Sequence, residues 1–333
     1  MPSASPTVTP LPGRVIGTFD AGSDPYALAF DTARQWLYAR TATGVTLIDV
    51  QTGRSLATIA LPGGLATING VAVDDGLGWV YTTTGDGFVH VLAGDLAKEI
   101  GTVNVGLEPG PIAVDRHTHA VYALDVGYNP IRYRASPRNG VLFVIEPNRM
   151  SLAASIVVPG YPWSLAVNSA TGRVYVSGDG GPGGSGFVQV IDGDTRGQVA
   201  LIGASAGTSL VSLDADNVLY MTHPAQGSAG AGSKISFIDG RIDRINTYGS
   251  QDASFVGADQ AKRHLYLIDR VGHLTIAASR IEFPNPSTWS GSDVAIPAGA
   301  SAVTVDTLRH KVFVASTGGK ITVVVDEWPA SWP

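Results

Sequence analysis

Short apolar runs, divided by clusters of Gly, Asp, Asn, Ser and Thr, follow one another along the chain. Between Tyr161 and Gly203 they read YPWSLAVN, GRVYVSG, FVQVID and QVALIG, with turn formers in the gaps. Runs this short, enriched in β-branched and aromatic residues, predict strands rather than helices. Their unbroken succession predicts an all-β chain.

The pattern repeats. An apolar run ends at Asp31, Asp74, Asp115, Asn168, Asp214, Asp259 and Asp306, and an aromatic follows one turn later at Tyr38, Tyr81, Tyr122, Tyr175, Tyr220, Tyr266 and Phe313. The offset is seven positions in every copy but the fifth, where Tyr220 follows Asp214 by six. Each copy holds four runs, strands a to d in chain order; in the first they are YALAFD, QWLYAR, VTLID and SLATIAL. Four strands in about 45 residues are the signature of a propeller blade. The expected fold is a seven-bladed β-propeller with four antiparallel strands per blade. The last copy lacks a strand d, whereas Arg14–Phe19 stands alone ahead of the first strand a. This N-terminal strand is expected to close the last blade, hiding two sheet edges. Residues 14–326 then form the propeller, 1–13 a Pro/Ser/Thr-rich linker and 327–333 a Trp-Pro tail.

Pro25–Leu61 and Pro162–Ile202 share one order: Pro, apolar run, Asp or Asn, turn, second strand, then a third ending in Ile-Asp. In the clearest copy the last two are Gly172-Arg173-Val174-Tyr175-Val176 and Val190-Ile191-Asp192. The pattern resembles the YVTN-type propeller repeat. That resemblance implies a seven-bladed protein, often secreted or surface-attached. It implies no single activity and hands over no catalytic residue, because function resides in sites grafted onto a fold.

Composition narrows the function. Lys+Arg 22 against Asp+Glu 28 gives a formal net charge of −6, which argues against a nucleic-acid binder and its basic footprint. No stretch approaches the ~18 apolar residues of a membrane span. With no cysteine there is no disulfide, thiol nucleophile or Cys-ligated metal. The uncharged opening MPSASPTVTPLPG has the composition of a flexible spacer and lacks the apolar core of a signal peptide. The expectation is an extracytoplasmic monomer whose linker follows a leader or lipid anchor.

Strand a crosses the blade, b returns, c crosses and d returns. The b–c and d–a connections therefore share one face, and the a–b and c–d turns share the other. From the strand-b aromatic to the start of strand c is seven residues in the first copy (Tyr38 to Val45). It grows to nineteen in the third (Tyr122 to Val141), twelve in the fourth (Tyr175 to Phe187) and fifteen in the fifth (Tyr220 to Ile235). Insertions on one side of a repeat protein mark its binding face. The first insert carries Tyr128, Arg132, Tyr133, Arg134 and Arg138 without an acid, a set suited to an anionic, sugar-like or planar ligand. Trp163, His223, Tyr26 and Arg40 are placed near the same channel mouth and complete the candidate ligand set. Asp24, Asn69, Glu108 and Asp252 are oxygen donors there that suit a hard divalent cation such as Ca²⁺.

Other motifs lead nowhere. The run GDGGPGGSG opens a strand and lacks the Lys-Ser/Thr and helix of a phosphate loop. GASAG at 203–207 lies between two strands, not in a strand–turn–helix elbow. His117, His119, His264 and His310 fall around the a–b turns and read as solvated. Asp49, Asp192, Asp239 and Asp326, at strand-c ends, read as turn caps. The chain is expected to be a binding scaffold for a protein, glycan or small anionic ligand. The rival is a metal-dependent lactonase or lyase at the channel mouth.

Overall fold

The computed structural model describes residues 13–61, 70–127, 139–180, 186–204, 209–213, 218–223, 234–239, 244–250, 254–269, 271–278 and 291–327. All its sheets are four-stranded and antiparallel, and seven appear in the strand order. In the first copy the strands are Pro25–Asp31, Trp36–Thr41, Gly44–Asp49 and Arg54–Ala60. Strands a stand side by side around an axis: Pro25–Asp31 touches both Val71–Asp74 and Ala300–Asp306. The fifth sheet, which begins at Ser209–Leu213, is described as backbone with Leu219, Tyr220 and Met221 as its buried side chains. Arg14–Asp20 pairs with Lys320–Val325, from Arg14 opposite Val325 to Asp20 opposite Lys320, and supplies the outer strand of the last sheet.

Position in the blade decides burial. Inner strands are buried nearly throughout, as in Trp36–Thr41 and Gly44–Asp49, while outer Arg54–Ala60 alternates between exposed and half-buried. The core is a chain of clusters between adjacent blades. One joins Tyr38 and Leu47 of the first copy to Val73, Val80 and Leu92 of the second. The strand-b aromatics fill these junctions and are all buried. Tyr38 donates its hydroxyl to the Gly94 carbonyl of the next copy at 2.8 Å, and Phe313 stacks on Phe30 of the first copy at 5.3 Å between ring centres. A buried tyrosine needs such a partner for its hydroxyl.

The turn before the strand-b aromatic has one geometry in the six copies where it is described. The residue three positions ahead is left-handed at Gln35, Gly78, His119, Gly172, Arg263 and His310, with φ from +54° to +68°. Glycine occupies two of these six positions, and the other four hold side chains that strain the backbone modestly.

Two sequence expectations change here. Asp326 does more than cap a turn. Its buried carboxylate accepts from the Tyr266 hydroxyl at 2.8 Å and lies 2.6 Å from His264 Nδ1. Lys262 Nζ stands 3.6 Å from its other oxygen. His264, read as solvated, is 1% exposed, and this cluster ties the sixth copy to the strand that receives the N-terminal one. His119 and His310 likewise reach back to Asp74 and Asp259 of the preceding copy, at 2.8 and 2.6 Å. Their partners lie 45 and 51 residues away, so a reading within one copy misses them.

Candidate functional site

The channel mouth on the b–c face is shaped by the starts of the strands a. Pro25 and Pro109 begin two of them and Pro162 is the second residue of a third, positions where proline is tolerated because it need not donate to the ladder. The register slips just afterwards: between Pro25 and Ala27, between Pro162 and Ser164, and in the seventh copy between Ala300 and Ala302. A bulge leaves its extra residue unpaired and re-aims the side chain. Tyr26 and Trp163 are these extra residues, both half-buried. The third, Ser301, donates its hydroxyl to the Pro25 carbonyl of the neighbouring copy at 2.5 Å.

Arg40 lies beneath Tyr26, its guanidinium 5.6 Å from the ring centre. It is 1% exposed, and its Nη1 donates to the Thr41 and Gly44 carbonyls, the latter at 3.1 Å. The Tyr26 hydroxyl donates to the same Thr41 carbonyl at 2.8 Å. Burial pushes the arginine's pKa down, and the fields of Tyr26 and Asp86 oppose that shift. Arg40 and Tyr26 thus brace the b–c turn of the first copy. In the second copy His90 is wedged between Asp86 and Glu99, 3.2 Å from each.

The carboxylates of this face cap turns. Asp24 Oδ1 accepts the N–H groups of Gly318 and Gly319 at 2.7 and 2.9 Å. Both glycines are left-handed, at φ +82° and +72°, which aligns their N–H groups on one oxygen and fastens the seventh copy to the first. Asp125 accepts from Gly127 N at 2.9 Å and Leu107 N at 3.2 Å. Asp269 accepts from Val271, Gly272 and His273 N. Burial resists its ionisation, but the hydrogen bonds from His273 and Gly272 prevail and hold its pKa below the usual range. Glu108 is buried, and its carbonyl accepts from Val126 N at 3.0 Å. Among the described residues, no group of three or more His, Cys, Asp or Glu is placed to hold a metal ion.

Tyr128, Arg132, Tyr133, Arg134 and Arg138, together with Asn69 and Asp252, lie outside the described residues. His223 ends the fifth copy's strand b, opposite Lys234, with its backbone alone described. The ladders nevertheless fix where the inserts leave and return. Residues 42–43 and 84–87 connect b to c in the first and second copies. Residues 126–139, 180–185 and 224–233 do so in the third, fourth and fifth. All emerge on the face of Tyr26, Trp163 and Asp24. One long connection escaped notice in the sequence. Residues 279–290 join c to d in the sixth copy, on the opposite face, and measuring c–d spacing as well as b–c would have found it.

These sheets and their closure define a β-propeller, and known structures agree. A chain of hydrazine synthase from Kuenenia stuttgartiensis superposes with a TM-score of 0.74 at 16% identity, covering 90% of this chain and 95% of its own. A chain of a mitotic checkpoint complex superposes at 0.75 with 13% identity, covering 98% and 96%. At such identities the likeness shows the fold alone. No protein-family profile matches the chain, and no curated protein matches it.

Proposed function

We propose that the protein is a non-catalytic propeller scaffold that binds a partner protein, glycan or small anionic ligand on its b–c face. One observation carries the reading: the long connections 126–139, 180–185 and 224–233 come from consecutive copies and emerge together beside the channel mouth. At the strand-a starts of the same face, Tyr26 and Trp163 are turned out of their ladders by bulges. Arg132, Arg134 and Arg138 bring three positive charges to the first connection, and guanidinium groups recognise carboxylate and sulfate bidentately. The repeat's likeness to YVTN-type propellers supports an extracytoplasmic location for this work.

Replacing residues 127–139 with Thr-Gly-Asp-Gly, the connection used at 84–87, tests the proposal. The parent and the replacement are compared on an array of uronic-acid and sulfated oligosaccharides and by titration with citrate. Binding by the parent that falls at least tenfold in the replacement, at unchanged melting temperature, is expected. Equal binding by both, or none by the parent, refutes the assignment of this face to such ligands.

A further inference from the structure

On the opposite face, three of the described strand-a aspartates are completed by a cationic side chain within hydrogen-bond distance. Strand a ends in a buried Asp or Asn whose Oδ1 caps the a–b turn, as at Asp31 with Arg34 N (2.8 Å), Asp74 with Leu77 N (3.0 Å) and Asp115 with His117 N (2.9 Å). The second carboxylate oxygen, withdrawn from water, needs a partner of its own. For Asp31 it is Arg34 Nη1 at 2.8 Å; for Asp74, His119 Nδ1 at 2.8 Å; for Asp259, His310 Nδ1 at 2.6 Å. Asp306 Oδ2 has no hydrogen bond and only an ion pair, with Arg309 at 3.6 Å. Asn168 replaces the charge by an amide.

Asp115 lacks even an ion pair among the described residues. It is 2% exposed, and no donor among the described residues reaches its Oδ2. Where His119 and His310 stand in their copies, the fourth copy has Gly172, with the same left-handed backbone at φ +64°. A Cβ there would meet nothing within 4 Å. At the junction of the first two copies the equivalent glycine, Gly78, leaves no such space, because Arg34 Nη2 comes within 2.6 Å of where its Cβ would lie.

Asp115 opens on a pocket of about 430 Å³ at this junction, lined also by His119, Tyr122, Arg149, Asp194 and Arg196. On its rim Glu146 is already paired, 3.3 Å from Arg149 and 3.7 Å from Arg196. Asp115 and Asp194 have no ion-pair partner among the described residues. Burial and then the fields of these two carboxylates push the Tyr122 hydroxyl up to about 12.

We infer that this cavity binds an organic cation, an alkylguanidinium or alkylammonium group, whose charge sits on Asp115 as Arg34, His119 and His310 sit on the equivalent aspartates. The group belongs either to a free small amine or to an arginine or lysine side chain of a peptide. Agmatine and a terminally blocked Gly-Arg-Gly peptide, each titrated into the full chain by calorimetry, separate the two sources. Binding of one or both is expected, and the probe that binds names the source. Asp115→Asn should weaken it at least tenfold. Gly172→His should abolish it and raise the melting temperature, because it installs the internal cation used elsewhere. No binding of either probe up to about 10 mM, or undiminished binding to folded Asp115→Asn or Gly172→His, overturns the inference.

Discussion

Asp326→Asn should loosen the propeller where it closes. The carboxylate has 0% side-chain exposure and takes two short hydrogen bonds, 2.8 Å from the Tyr266 hydroxyl and 2.6 Å from His264 Nδ1, with Lys262 Nζ close by. An asparagine keeps the shape, but its NH₂ turns a donor toward a donor and its neutral amide removes the charge that Lys262 Nζ faces at 3.6 Å. Breaking a buried charged pair from one side costs about 3–5 kcal/mol. For 333 residues at ~2.1 cal/mol/K each the unfolding entropy is about 0.7 kcal/mol/K, so the melting temperature should fall by about 4–7 °C. The urea midpoint should fall with unchanged slope. Asp326 directly follows the strand that pairs with Arg14–Asp20, so amide-exchange protection of 14–20 should fall before that of the inner strands. Tyr266→Phe, which removes one hydrogen bond, should cost about 0.5–1.5 kcal/mol, and the two substitutions together should be less than additive. A loss below about 1 kcal/mol for Asp326→Asn, with additive doubles, would refute the reasoning.

Alkali should unfold the protein through its junction tyrosines. Burial raises Tyr38, Tyr81, Tyr122 and Tyr266, Tyr122 to about 12. Folded values lie above the unfolded one of ~10, so their stabilisation is complete below pH ~10 and lost as pH rises through about 12; urea midpoints across that window should drop while phenolate absorbance lags until unfolding. Gly178→Ala should destabilise by about 1–3 kcal/mol, because its Cβ would lie 2.1 Å from the Tyr161 carbonyl oxygen. Gly203→Ala, in open space, should be neutral or stabilising by up to about 1 kcal/mol, and equal effects at the two sites would contradict the packing described.

The strands were legible because each copy restates the same period-two and turn signals, and seven statements average out local ambiguity. Strand-a ends and strand-b aromatics could be numbered from the repeat alone. Side-chain partnerships were not legible in that way. His264 and His310 carry the same turn-histidine signature as exposed His117, yet the first is buried on Asp326 and the second clasps Asp259. The difference depends on which residue of the neighbouring copy faces them. Asp24 resembles a metal ligand by type, and only the fold brings Gly318 and Gly319, 294 and 295 residues away, onto its oxygen.

The sequence by itself determined the all-β repeat, the strand at Arg14–Asp20 left over for closure, and the face on which the longest b–c connections emerge. Those properties follow from local periodicity and chain direction, which are written within each copy. Tertiary structure decided which charges are satisfied. Asp115 and Asp74 hold equivalent places in their copies, and the presence of His119 beside one and Gly172 beside the other separates a closed junction from an open one. That distinction exists only across a blade boundary, because a buried carboxylate is completed by whatever the next copy places against it.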